Sequence, residues 1–223
     1  MSESTLYIGN KNYSSWSLRP WLALKQAGAE FKEVMIPLDR PETMELLQRH
    51  TPARRVPTLT NSKFTLWESL SICEYAAEIF PAARLWPQDR DVRAVARSVA
   101  NEMHAAFATL RTWLPMDIRN RLKIPGRTEN AADDIARVIQ IWRDCREKYG
   151  AAGANGPGPF LFGGFTIADA MFAPVTTRFM TYGVPLDSVC ASYVEAVTAL
   201  PAMQSWIAAA KAEPWTIIYD VNK

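Results

Sequence analysis

The residue that most constrains this chain is Pro57, in the run Arg55-Val56-Pro57-Thr58-Leu59. Proline has no N–H, so it is confined in a sheet to an edge, a bulge or a strand's first residue. Val-Pro-Thr-Leu therefore reads as a short strand that opens on a proline. Residues 64–67 read as its hairpin partner across the polar turn Asn61-Ser62-Lys63, and Glu68-Ser69 then begins a helix. A strand starting this way leaves Val56 with a free N–H and C=O, able to pair with an extended peptide laid beside it. The helix N-terminus that follows offers unpaired N–H groups and a partial positive charge to a carboxylate. Together these features make a site for a small acidic peptide.

The preceding residues supply a second site element. Residues 5–9 alternate and read as a first strand, and Asn10-Lys11-Asn12-Tyr13-Ser14-Ser15 is a polar loop. Leu18, Trp21, Leu22, Ala23 and Ala27 recur at helical spacing, and Gly28 supplies the stop. Pro20 belongs in a first turn, which makes Trp16 or Ser17 the expected cap and leaves Ser14 and Ser15 just ahead of the helix. A second strand is expected over residues 31–37. Asp39-Arg40-Pro41-Glu42 reads as a capping box opening a short helix to His50. The first part of the chain is thus β-α-β-α-β-β-α, and its last helix ends before Pro81.

Beyond Pro81 every periodic segment is helical. Val92, Val95, Val99, Met103, Ala106, Leu110 and Trp113 form one apolar stripe, and Ile135, Val138, Trp142, Cys145 and Tyr149 another, so two long core helices are expected. Residues 150–164 are a Gly/Pro-rich loop. It delivers Thr166-Ile167-Ala168-Asp169, a capping box opening a buried helix, and two shorter helices finish the bundle. The fold class is α/β in the first part and all-α in the second, with domains expected at 1–83 and 88–223.

A formal charge of +2, from 25 basic and 23 acidic residues, argues against nucleic acid or an anionic membrane as partner. Arg119, Arg121, Lys123 and Arg127 read as one solvated basic loop. No apolar run is of membrane-spanning length, and Met-Ser-Glu-Ser lacks the features of a signal peptide, so a cytoplasmic location is expected. Cys73, Cys145 and Cys190 are odd in number and inside helical patterns, which reads as core packing. His50 and His104 have no ligand spacing, and no metal is expected.

The chain resembles the glutathione S-transferase family over nearly all of its length. The resemblance rests on Ser14-Ser15-Trp16-Ser17 after the first strand, Val56-Pro57, Glu68-Ser69 and the Thr166 to Asp169 box. It implies a thioredoxin-like first domain, a cis Val56–Pro57 bond, glutathione bound as co-substrate between two domains, and a homodimer. The serine-type branch, including the zeta class with its Ser-Ser-Cys-Ser run, is the nearest pattern. Trp16 stands where the zeta pattern has cysteine, and Ser14 where cysteine-type members carry one. This favours conjugation of small apolar electrophiles over a zeta-like isomerase or a thiol oxidoreductase. A non-catalytic glutathione-binding module of the same fold is the reading from a different class.

Within that resemblance Ser14 is the candidate for activating the glutathione thiol and Ser15 its close competitor, with Tyr13 a further rival and Ser17 a cap. A free thiol ionises near pH ~8.5, so a hydroxyl donor at a helix N-terminus favours the thiolate. Glu68 and Ser69 would hold the γ-glutamyl end, the cis-proline pair Val56 and Pro57 would place a backbone for the cysteinyl residue, and Arg55 could reach the glycyl carboxylate. Trp16, Met103, Phe107, Trp113 and Trp215 are the expected lining of an apolar second-substrate pocket.

Overall fold

A computed structural model describes residues 4–219. Strand β1 (Thr5–Ile8) is followed by helix α1 (Ser15–Gln26), β2 (Lys32–Met35), α2 (Thr43–His50), the hairpin β3 (Thr58–Thr60) and β4 (Thr65–Trp67), and α3 (Ser69–Ile79). The four strands form one sheet in the order β2-β1-β3-β4, with β1 parallel to β2 and antiparallel to β3. Leu6 pairs with Leu59, which pairs with Leu66 across the hairpin. Alternation along β1 sends Leu6 and Ile8 into the core, where they meet the apolar sides of α1 and α3.

The remainder is helical: α4 (Arg90–Ala105), α5 (Ala108–Trp113), α6 (Arg127–Asn130), α7 (Ala132–Cys145), α8 (Ile167–Tyr182), α9 (Ser188–Ala199) and α10 (Pro201–Ala212). Helix α8 is buried along its length except at Met180 and packs against α1, α4 and α9. Trp142 of α7 anchors its far side, against Phe172, Phe179 and Tyr193. The capping box forms as the sequence indicates. The Asp169 carboxylate, fully buried, accepts from Thr166 N (2.8 Å), the Thr166 hydroxyl (3.0 Å) and Leu161 N (3.1 Å).

Four local expectations are corrected. The cap of α1 is Ser14, whose Oγ accepts from Ser17 N, and not Trp16 or Ser17. Pro20 lies in the second turn, where its only loss is the N–H that would return to Trp16. The acidic box at 39–42 does not form either: Glu42 makes no capping bond, and Thr43 Oγ1 instead accepts from Arg40 N while donating to Pro37 O. The first apolar stripe is not one helix, because the chain breaks at Phe107 (φ +60°) and restarts as α5 with Leu110 N donating to Asp134. Finally, Arg119 is not merely solvated; it bridges Tyr13 and the C-terminal segment. The three cysteines are free and buried, and burial pushes the Cys145 thiol up to about 12.

Candidate active site

Two adjoining cavities lie where the 10–14 loop, the cis Val56–Pro57 bond and the start of α3 converge. The smaller, about 240 Å³, is lined by Trp16, Ala53, Arg55, Val56, Pro57, Trp67, Glu68 and Ser69. All five residues expected to hold glutathione border it. The Val56 backbone takes no part in the sheet ladder, which begins at Thr58. Glu68 is held at φ +70°, a conformation that costs a non-glycine residue about 1–3 kcal/mol and recurs where ligands are clamped. It caps α3 without a side-chain bond and leaves its carboxylate exposed, 3.7 Å from His104 Nε2. Ser69 opens α3 and is 1% exposed, yet its hydroxyl has no partner among the described residues. A buried hydroxyl left unpaired costs roughly 1–3 kcal/mol, so this one fits a ligand acceptor such as the γ-glutamyl carboxylate.

The larger cavity, about 420 Å³, is lined by Tyr13, Ser14, Ser15, Trp16, Leu38, Leu47, Arg54, Arg55, Val56, Arg111, Pro115, Met116, Arg178 and Tyr219. Trp16, Arg55 and Val56 belong to both cavities, so the two adjoin at the indole. The two serines differ in what they touch. Ser14 Oγ accepts from Ser17 N and donates to Ser17 Oγ at 2.8 Å, which engages its proton inside the first turn of α1. Ser15 Oγ accepts from Arg178 Nη2 at 3.2 Å, and among the described residues its own hydrogen has no acceptor.

Of the five residues expected to line an apolar second-substrate pocket, Trp16 alone lines either of these two cavities. Met103 is fully buried in the helical core and Phe107 nearly so, while Trp113 and Trp215 are half-buried and line neither space. In their place the larger cavity presents four arginines among its lining and no carboxylate. Arg178 is buried, donates through Nε to Leu114 O, and leaves Nη1 unpartnered; burial lowers its pKa to about 10. Arg19, fully buried behind them, stacks 4.2 Å over the Trp16 ring, and burial, then Arg178 and Arg111, lower it to about 9. Arg111 lies over the same ring at 5.5 Å and is also depressed by burial. A concentration of cations in a partly desolvated space makes a strongly positive pocket. Arg111 and Arg178 leave no local signal in the sequence, because each is an isolated arginine on a helical stripe. Among the described residues, no group of His, Cys, Asp and Glu is placed to hold a metal, and no helix is long and apolar enough to cross a membrane.

A thioredoxin-like sheet with a cis-proline, joined to a helical bundle across such a cleft, defines a class, and comparison with known proteins gives the family. The chain matches the glutathione S-transferase N-terminal domain over residues 13–79 and the C-terminal domain over residues 125–209. It belongs to the glutathione S-transferase family. The maleylacetoacetate isomerase of Rattus norvegicus is 35% identical over 109 residues, 48% of this chain and 50% of that protein, so the match spans about half the length of this relative. Glutathione S-transferase L1 of Arabidopsis thaliana is 23% identical over 190 residues, 85% of this chain and 70% of the relative. Among solved structures, a glutathione transferase homologue from Burkholderia with bound glutathione superposes with a TM-score of 0.70 at 27% identity, covering 95% of this chain and all of that one. A bacterial zeta-class maleylpyruvate isomerase shares the fold, with a TM-score of 0.71 at 21% identity over 94% of this chain and 98% of its own.

Proposed function

We propose that the protein is a glutathione-dependent enzyme whose bound thiolate attacks a small electrophile carrying a carboxylate. The observation that carries this reading is the arginine lining of the larger cavity directly beside Ser15. Glutathione occupies the smaller cavity, with Ser69 donating to the γ-glutamyl carboxylate, Glu68 meeting its ammonium, Val56 pairing with the cysteinyl backbone and Arg55 at the glycyl end. The sulfur lies near Trp16, where the two spaces meet. Ser15 is the thiolate's hydrogen-bond donor, because its hydroxyl accepts from a cation and has its proton to give, whereas Ser14 is the helix cap. Arg54, Arg111 and Arg178 then hold the anionic end of the electrophile. This replaces the apolar electrophile expected from sequence.

A second reading has its own support: the rat relative is named an isomerase, and the same arginines suit an unsaturated acid. There the thiolate adds to the double bond, the resulting single bond rotates, and elimination returns the thiolate, so glutathione is not consumed. Conjugation consumes one glutathione per turnover. The test is to follow thiolate absorbance on glutathione binding, then assay electrophiles in matched carboxylate and ester forms while counting glutathione. Preference for the acid supports the reading, and stoichiometry separates the two reactions. A wild-type protein that binds glutathione but transforms no electrophile is the non-catalytic module. Sedimentation tests the homodimer that the family resemblance implies.

A further inference from the structure

We propose that Glu213, beyond the last helix, is a positioning residue that seats the loop bearing Ser14 and Ser15. This rests on the glutathione reading above. Glu213 is 9% exposed, and its carboxylate accepts from two consecutive backbone amides of that loop, Lys11 N at 2.6 Å and Asn12 N at 3.1 Å. Burial raises its pKa, and those two donors oppose the rise. Two adjacent N–H groups converging on one carboxylate are charge-assisted and fix the peptide plane between them, so the loop has little freedom to rotate.

The rest of the loop is held from the same side. Trp206 Nε1 donates to Lys11 O at 2.8 Å. Asn12, fully buried, accepts through Oδ1 from Arg119 N at 2.9 Å and donates through Nδ2 to Asp117 at 2.8 Å. Arg119 closes the arrangement, donating to the carbonyls of Glu213 and Trp215, each at 2.6 Å, and to the Tyr13 hydroxyl at 2.8 Å. The loop then turns directly into the site, since Tyr13 N and Ser14 N both return to Asn10 O. A shift of the peptide at residues 11–12 is therefore carried to the serines one turn later. The same segment continues to Tyr219, which walls the larger cavity and meets Tyr13 edge-on at 5.9 Å. Serine placement and cavity wall are thus set by one anchor, remote in sequence from the serines and on the same segment as the wall.

The test uses the full chain with Glu213→Ala and Glu213→Gln, the latter keeping one acceptor oxygen. Four quantities are read: the melting temperature, amide hydrogen exchange at Lys11 and Asn12, the pH midpoint of the bound thiol, and the dissociation constant for glutathione. Glu213→Ala is expected to speed exchange at both amides by about tenfold or more. It should raise the thiol midpoint while changing glutathione affinity by less than about threefold, because the tripeptide's polar ends are held elsewhere. Glu213→Gln should fall between it and wild type, and it also serves if the alanine variant does not fold. Lowered melting with unchanged exchange and an unchanged midpoint would assign Glu213 to stability alone and overturn the proposal. Faster exchange with an unchanged midpoint also overturns it, since the loop would then be held without consequence for the thiol. If wild type binds no glutathione, the functional reading fails first, and a positioning role toward its thiol fails with it.

Discussion

Arg178 donates through Nη2 to Ser15 Oγ at 3.2 Å, a buried bond where α8 packs on the first turn of α1. The guanidinium polarises a hydroxyl whose hydrogen is free, while the neighbouring Ser14 hydroxyl is closed onto Ser17. Ser15→Ala is therefore expected to lower kcat by about a hundredfold and raise the pH midpoint of the bound thiol, with little change in glutathione affinity. Ser14→Ala is expected to act on stability, lowering it by about 1 kcal/mol through loss of the cap. Thiolate absorbance against pH, with melting curves on both variants, decides between them. A larger catalytic loss in Ser14→Ala would return the role to the first serine.

What was legible in the sequence was local. Pro57 announced its strand start, and Thr166 and Asp169 are three residues apart, so a capping box could be read directly. Glu68 and Ser69 lie at a helix start that period and position both mark. Interactions across the chain left no such trace. The residues joining Ser15 to Arg178 and Lys11 to Glu213 are separated by 163 and 202 positions. Nothing in the local pattern of an arginine or glutamate states where its partner will come from. That Trp113 and Trp215 line neither of the two cavities was not legible for a related reason: an aromatic stripe says that a side is apolar, not which neighbour covers it. The break at Phe107 was hidden because the apolar spacing continues across it.

In the proposed glutathione pose the Ser69 hydroxyl meets the γ-glutamyl carboxylate, remote from the sulfur, so that contact is the same in ground and transition states. Ser69→Ala should raise the Michaelis constant for glutathione about tenfold and leave kcat near the wild-type value. Because the wild-type hydroxyl is buried without a protein partner, the free protein should melt at the same temperature or slightly higher when it is removed. Steady-state kinetics and calorimetry on one preparation read both effects.

The stability of α8 should depend on pH through Asp169. Burial pushes its carboxyl up from 3.8 to about 6, despite three hydrogen bonds that pull it down. The native state therefore holds this proton more tightly than the unfolded chain does. Its contribution is fully present below about pH 4 and is lost as pH rises through about 6. Asp169→Asn should flatten the melting temperature over that interval. It should also cost roughly 1–3 kcal/mol, because one amide group would face an N–H donor, while glutathione affinity in the folded fraction stays intact. An unchanged pH slope would place the titration on another group.

Charge selectivity separates the two arginines that flank Trp16 and Ser15. Arg111 reaches the larger cavity and stacks on the indole but does not touch either serine, so its charge can act on an electrophile without passing through thiol activation. Arg111→Met keeps the aliphatic stem and removes the cation. It should reduce kcat/KM for a carboxylate electrophile about tenfold, equivalent to 1.4 kcal/mol, and leave the matching ester unaffected. Arg178 both lines the cavity and donates to Ser15, so Arg178→Met should depress acid and ester together, the acid more. Because both guanidiniums are at least partly desolvated, added salt should weaken the preference for the acid only modestly. If Arg111→Met slows acid and ester equally, the cavity does not select by charge, and its arginines serve packing around Trp16 instead.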